Sequence, residues 1–141
     1  MKRRRDERGS AAVEVALLAP VLGLMVLAVI FAGRVAVARQ AVQSATTDAV
    51  RAASLARTAD DAKRSANRVA DAALVNQDVE CATTTLEVDT SGFRRPPGTA
   101  ATVTVTLTCE VATADLSLPV PGTIRIEHSM SSPLDVYRGR R

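Results

Sequence analysis

Few residues in this chain have the type and spacing to do chemistry, and Glu14 stands out among them. In the run RGSAAVEVALLAPVLGLMVLAVIFAGR it is the one ionisable residue between Arg8 and Arg34. A carboxylate at the centre of a membrane-spanning helix costs roughly 2.5 to 3.5 kcal/mol, whereas one near the end reaches water at a smaller cost. Glu14 is therefore either a tolerated interfacial charge or a group kept for a purpose. Pro20 follows six residues later; it removes a backbone donor, and a kink or local loosening of the helix is expected around it.

The other candidates reduce to structural roles. His128 is the only histidine and has no sequence partner that would make a triad, and two cysteines, Cys81 and Cys109, cannot supply zinc spacing. On an apolar strand face, His128 reads as a satisfied structural residue. Asp60 and Asp61 could be taken for metal-binding carboxylates, but acids in a first helical turn complement the helix dipole and nothing nearby completes a site. There is no Gly-rich phosphate loop. The Arg-rich start could suggest nucleic acid, but a membrane segment next to it already accounts for those charges. The chain is expected to be no enzyme, with no catalytic residue, metal, cofactor, small-molecule substrate or nucleic-acid partner.

The elements that position Glu14 come next. Val15 to Gly33 contains no charged residue, and at 1.5 Å per residue such a run crosses most of a hydrocarbon layer of about 30 Å. It reads as a transmembrane helix. Lys2, Arg3, Arg4, Arg5 and Arg8 outweigh Asp6 and Glu7 before it, which holds the N-terminus on the cytoplasmic side and sends the rest outside. Arg34 and Arg39 on the exported flank oppose that orientation, but the N-terminal cluster is denser. Cys81 and Cys109 then fall where a disulfide forms and persists, and a bridge between them stabilises by about 3 to 4 kcal/mol. Two unrelated buried thiols are the alternative.

With 141 residues, 47% hydrophobic but only 2% aromatic, any exported core is small and thinly packed. Val35, Ala38, Val42, Ala45, Ala49, Ala52 and Ala56 alternate steps of three and four, so the helix continues as an amphipathic stem with Gln40, Gln43, Asp48 and Arg51 off the seam. Thr58, Asp60 and Asp61 offer caps for a second helix carrying Ala62, Ala66, Val69, Ala73 and Leu74, ended by Asn76 to Asp78. Val103, Val105, Leu107, Cys109 and Val111 alternate with polar residues as a half-buried strand, with Val79 to Val88 as its partner and Asp89 to Gly98 as the hairpin loop. Pairing Asp89 near Ala101 sets Cys81 opposite Cys109. It also turns Thr83, Thr85 and Glu87 inward and Leu86 and Val88 outward, so a bulge between Cys81 and Leu86 is required. Leu116, Leu118 and Val120, broken by Pro119 and Pro121, suit an edge or extended loop. Thr123 to Met130 is a last strand, ended by Ser131 to Pro133, and Tyr137 to Arg141 form a basic tail.

Gly9, Ser10, Ala11, Ala12, Val13 and Glu14 resemble the prepilin signal of type IV pilin-like proteins: a basic leader ending in Gly, then Glu five residues on, before an apolar helix. The continuation LLAP, AGR and AVRAASLAR, and the closing strand IRIEHSM, are similar to the TadE-like pseudopilins of tight-adherence (Flp-type) pilus systems. The resemblance implies cleavage between Gly9 and Ser10 by a prepilin peptidase. It also implies pairing of Glu14 with the Ser10 amine of a neighbouring subunit, and as partners the membrane, other Tad-type pilin-like subunits and the secretion platform. An acid and an amine sharing a low-dielectric site relieve each other's burial cost. Steps of three and four back from Val35 land on Glu14, so acid and stem seam share a face.

The resulting expectation is an α+β protein: a long N-terminal transmembrane helix continuing into an Ala-rich stem, a second helix, and a small antiparallel sheet with a disulfide. Its segments are a leader (1–9), the membrane helix (10–33), stem and second helix (34–75), a small exported β-sheet region (76–132) and the tail (133–141). It sits in the cell membrane as a single-pass protein, acting as a minor pilin-like subunit or assembly factor through lateral helix packing. Two alternatives have no pilus role. Ala36, Val37 and Ala38 make an A-x-A signal-peptidase site that would release a secreted domain from Arg39, and an uncleaved single-pass anchor with an interaction domain fits the same charges.

Overall fold

A single helix, α1, runs from Arg8 to Leu55, 48 residues or about 72 Å at 1.5 Å per residue. The computed structural model describes residues 8–96, 98–116 and 121–135, with side chains from Val13 onward. The leader charges at residues 2–7, Pro97, the stretch with Leu118, Pro119 and Val120, and the tail from Tyr137 to Arg141 lie outside the described residues. No Gly or Pro interrupts α1 beyond Gly33, and alanine, the best helix former, dominates its second half. The chain leaves α1 at Leu55, and Thr58 caps α2 (Ala59–Asn76) by accepting from the Asp61 N–H at 3.1 Å. The Thr58 hydroxyl also donates to the Asp61 carboxylate at 2.8 Å, and Arg64 pairs with the same carboxylate. Asp60 and Asp61 are thus first-turn acids of α2, as expected.

The C-terminus of α2 closes with its last carbonyls satisfied. The Val79 N–H donates to Leu74 O and the Asp78 N–H to Val75 O, while Asp78 takes a left-handed φ of 56°. This is a Schellman arrangement with Asp, one of the few side chains that tolerate that conformation, in the glycine position.

Three antiparallel strands follow in spatial order β1-β2-β3: β1 (Thr83–Asp89), β2 (Thr102–Ala112) and β3 (Thr123–Pro133). The last strand runs three residues past the expected Met130, pairing Pro133 with Thr102; proline is tolerated because β3 is an edge. The hairpin between β1 and β2 holds a short 3-10 turn, Ser91–Arg94, opened by the Asp89 carboxylate accepting from the Ser91 N–H at 2.9 Å.

The register corrects the one expected from the cysteines. Asp89 stands opposite Thr104 rather than Ala101, with Leu86 opposite Leu107 and Val88 opposite Val105. The shift of three residues turns Leu86 and Val88 to the core and Thr83, Thr85 and Glu87 outward, removing the conflict between faces. Cys81 still reaches Cys109, with a Cα–Cα distance of 5.4 Å, because the chain is irregular just before β1. The Ala82 N–H donates to Glu110 O at 2.7 Å while Thr83 also faces Glu110. Two residues therefore oppose one, and the bulge falls inside the interval where the sequence required it.

The inner face of the sheet packs on α1, which lies against β2 and β3, while α2 flanks α1 and touches β1. Val103, Val105, Leu107 and Cys109 are fully buried under the helix pair. Between the helices the contact is almost all alanine: Ala45, Ala49, Ala53, Ala62, Ala66 and Ala70 are buried, which lets the two backbones approach closely.

Candidate functional site in the projecting helix

Among the described residues, none packs over α1 between Val13 and Ile30. Every large apolar side chain from Val13 to Ile30 is exposed, from 44% at Ile30 to 69% at Leu17. The most apolar 18-residue window of the helix has a mean hydropathy of 2.8 and none of it is buried. Soluble monomers do not carry an apolar surface of this extent. The helix is long and apolar enough to cross a membrane and fits a single-pass anchor.

Glu14 lies near the free end of this anchor, exposed, with no hydrogen bond or ion pair to any described side chain. Gly9 and Ser10 belong to the first turn of α1. Ser10 precedes Glu14 by four residues, so its backbone nitrogen lies one turn, about 6 Å, further along the same side of the axis. α1 continues through Pro20 without interruption. The stem seam extends as far as Phe31, which packs half-buried against the core. Further down, Ala28, Leu24, Val21, Leu17 and Glu14 carry on the same three-four steps and are exposed among the described residues.

Where anchor becomes stem, Arg34 donates from Nη1 to the backbone carbonyl of Asp115 at 2.6 Å. Read in sequence only as a charge against the expected topology, it ties the helix to the segment that follows β2. No sequence signal marks that role, since 81 residues separate the two. Next to it Ala36, Val37 and Ala38 lie inside unbroken helix, and Val35 and Ala38 are buried.

The remaining candidates offer no second centre. The Cys81–Cys109 bridge joins the segment just ahead of β1 to β2, and no described cysteine is free. Among the described residues no group of three His, Cys, Asp or Glu side chains could hold a metal. His128 faces Leu107 on the inner side of β3. Its Nδ1 is buried with no hydrogen-bond partner, so the expectation of a satisfied histidine does not hold for that atom.

No curated protein and no solved structure matches the chain. Residues 9–51, which take in Glu14, the whole projecting half of α1 and most of its stem, match the family model described as TadE-like protein, so it is through this helix that the chain is similar to the TadE-like family.

Proposed function

We propose that this protein is a membrane-anchored minor pilin-like subunit of a Tad-type pilus system, working by lateral packing of α1 rather than by catalysis. The observation that carries the reading is the TadE-like helix, an uncovered apolar rod with one carboxylate near its end. In this reading a prepilin peptidase cuts between Gly9 and Ser10 and leaves a free ammonium on Ser10. The Glu14 carboxylate of a neighbouring subunit then accepts from that ammonium. An acid and an amine that enter lipid together neutralise each other, whereas either alone carries an uncompensated burial cost. The pair also fixes the axial register of adjacent helices, because no other charge lies between Glu14 and Arg34. The basic leader stays cytoplasmic and the sheet lies outside, where its disulfide persists.

Release of a secreted domain after Ala38 fits the fold poorly: such a cut would divide α1 within its buried seam and strip Val35 and Ala38 from the core.

Glu14→Ala is expected to insert and fold normally yet fail to co-assemble with its neighbours, while Glu14→Asp retains part of the assembly. Co-purification from membranes, with N-terminal mapping of the extracted protein, reads both outcomes. Normal assembly by Glu14→Ala would remove the pairing role, and an N-terminus at Met1 would remove the processing step.

A further inference from the structure

A cavity of about 360 Å³ opens where α1 leaves the folded domain, lined on the helix by Ile30 and Val37 and on the domain by Asp78, Val79, Glu80 and Leu116. Its floor is apolar, and its rim carries three acids, Asp78, Glu80 and Asp115, against one cation, Arg34. Asp78 and Glu80 are exposed, and neither has an ion pair among the described residues. Arg34 in the same lining is bonded to the Asp115 carbonyl. On the other side of the stem Arg39 is also exposed and also without an ion pair among the described residues. Arg39 lies two steps beyond Val37, which at 100° per residue sets it about 160° around the helix from the notch.

We propose that this notch receives the far side of the stem of a second copy of the chain, with the neighbour's Arg39 meeting Glu80 and Asp78. The inference rests on the assembly reading above and names its exported contact. Copies anchored by the same helix in one membrane hold equivalent residues level to within the one-turn offset, about 6 Å, that a Glu14–Ser10 pair sets. The notch spans the level of Ile30 to Ala38, so the Arg39 of the neighbour standing one turn lower arrives within it. Each copy carries the acidic notch on the α2 side and the arginine on the opposite side. The contact is therefore heterologous and repeats from one copy to the next, the geometry of a row or helical filament rather than a closed pair. Arginine suits such a place: its methylene stem lies on apolar floor while the guanidinium reaches the carboxylates. Anionic lipid headgroups do not suit it, because the rim acids repel them.

The test uses full-length protein in lipid nanodiscs or vesicles, with donor- and acceptor-labelled copies reporting proximity. Arg39→Glu and Glu80→Arg are both surface changes that leave the core intact. Each alone is expected to weaken association about tenfold. An equimolar mixture of the two variants restores it, because both kinds of contact in an alternating array again pair opposite charges. Association unaffected by either single change overturns the proposal, as does loss without restoration in the mixture. So does an Arg39→Glu effect that disappears when anionic lipid is left out. Glu14→Ala measured alongside separates the two readings. If it abolishes association while the stem variants do not, the notch is wrong and the anchor reading stands. If it has no effect while the charge swap behaves as stated, the reverse holds.

Discussion

Replacing Cys81 with alanine tests how much of this thin domain depends on its one covalent link. The bridge closes a loop across 28 residues, and the chain-entropy relation for that length gives about 3.6 kcal/mol at 25 °C. Little offsets the loss locally. Of the seven residues of β1, five are exposed and only Leu86 and Val88 are half-buried, so the strand has few contacts of its own to hold it on β2. Cys109 is fully buried and stays as a thiol that fills its place, which keeps cavity formation out of the measurement. For a domain of this size each kcal/mol moves the midpoint by roughly 4 to 8 °C, so a fall of about 14 to 29 °C is expected. Thermal proteolysis of detergent-solubilised protein reads it without interference from the anchor, whose helix does not melt with the domain. Amide exchange should show protection lost first across β1, while the β2–β3 pairing keeps its own. A fall under about 5 °C, or equal loss of protection in β1 and β3, would refute the reasoning. Either result would mean that β1 is held by its side-chain contacts and not by the tether.

Two further perturbations probe the hairpin. Gly92 packs so closely on Thr102 that a Cβ there would collide with the Thr102 carbonyl oxygen and lie 3.2 Å from Leu134 Cδ1; Gly92→Ala is expected to cost about 1 to 3 kcal/mol, read as an equal shift in chemical and thermal unfolding. The Asp89 carboxyl is held below its ordinary pKa, chiefly by the Ser91 backbone N–H, with a further contribution from the Ser91 side chain. A group depressed in the folded state adds stability that is present above its unfolded pKa and is lost as pH falls through the folded one. Asp89→Asn should therefore lower stability at neutral pH, leave the strongly acidic region unchanged and so flatten the acid limb of the profile, as followed by unfolding midpoints between neutral and strongly acidic pH.

The anchor, the stem, the second helix and the strands were legible because each carries a period its element imposes. The stem shows the limit of that reading. A single three-four seam named Val42, Ala45 and Ala49, but Ala41, Thr46 and Val50 beside them are equally buried. α1 is covered on two sides, by α2 and by the sheet, and alanine fits buried and exposed positions alike, so its pattern does not reveal the second contact. The strand register was missed by three residues for a different reason. Placing the cysteines directly opposite each other fixes the register from the wrong point, since the bridge starts ahead of β1 and the chain bulges at Ala82 to reach it. Glu14 was legible because a lone acid in an apolar run is costly and hence conspicuous. The notch at Glu80 and the bond from Arg34 to Asp115 were not, because they join elements far apart in sequence, where no local period exists.

Continuity of α1 gives the family segment its consequence for the rest of the chain. The same helix supplies both the uncovered anchor and the surface on which β2 and β3 pack, so no flexible linker separates membrane from sheet. A rotation of the anchor about its axis is passed to the domain one for one. The bond from Arg34 to the segment after β2 holds that relation at the level where the helix emerges. Any neighbour that fixes the rotation of α1 in lipid therefore also fixes which flank of the sheet it meets. A charge pair at Glu14 and a stem contact at Arg39 would then be two readings of one orientation: about 25 residues or 37 Å apart along a stiff rod, they cannot be satisfied independently. A linker inserted between Gly33 and Arg34 should uncouple them, leaving anchor packing intact while the exported contact is lost.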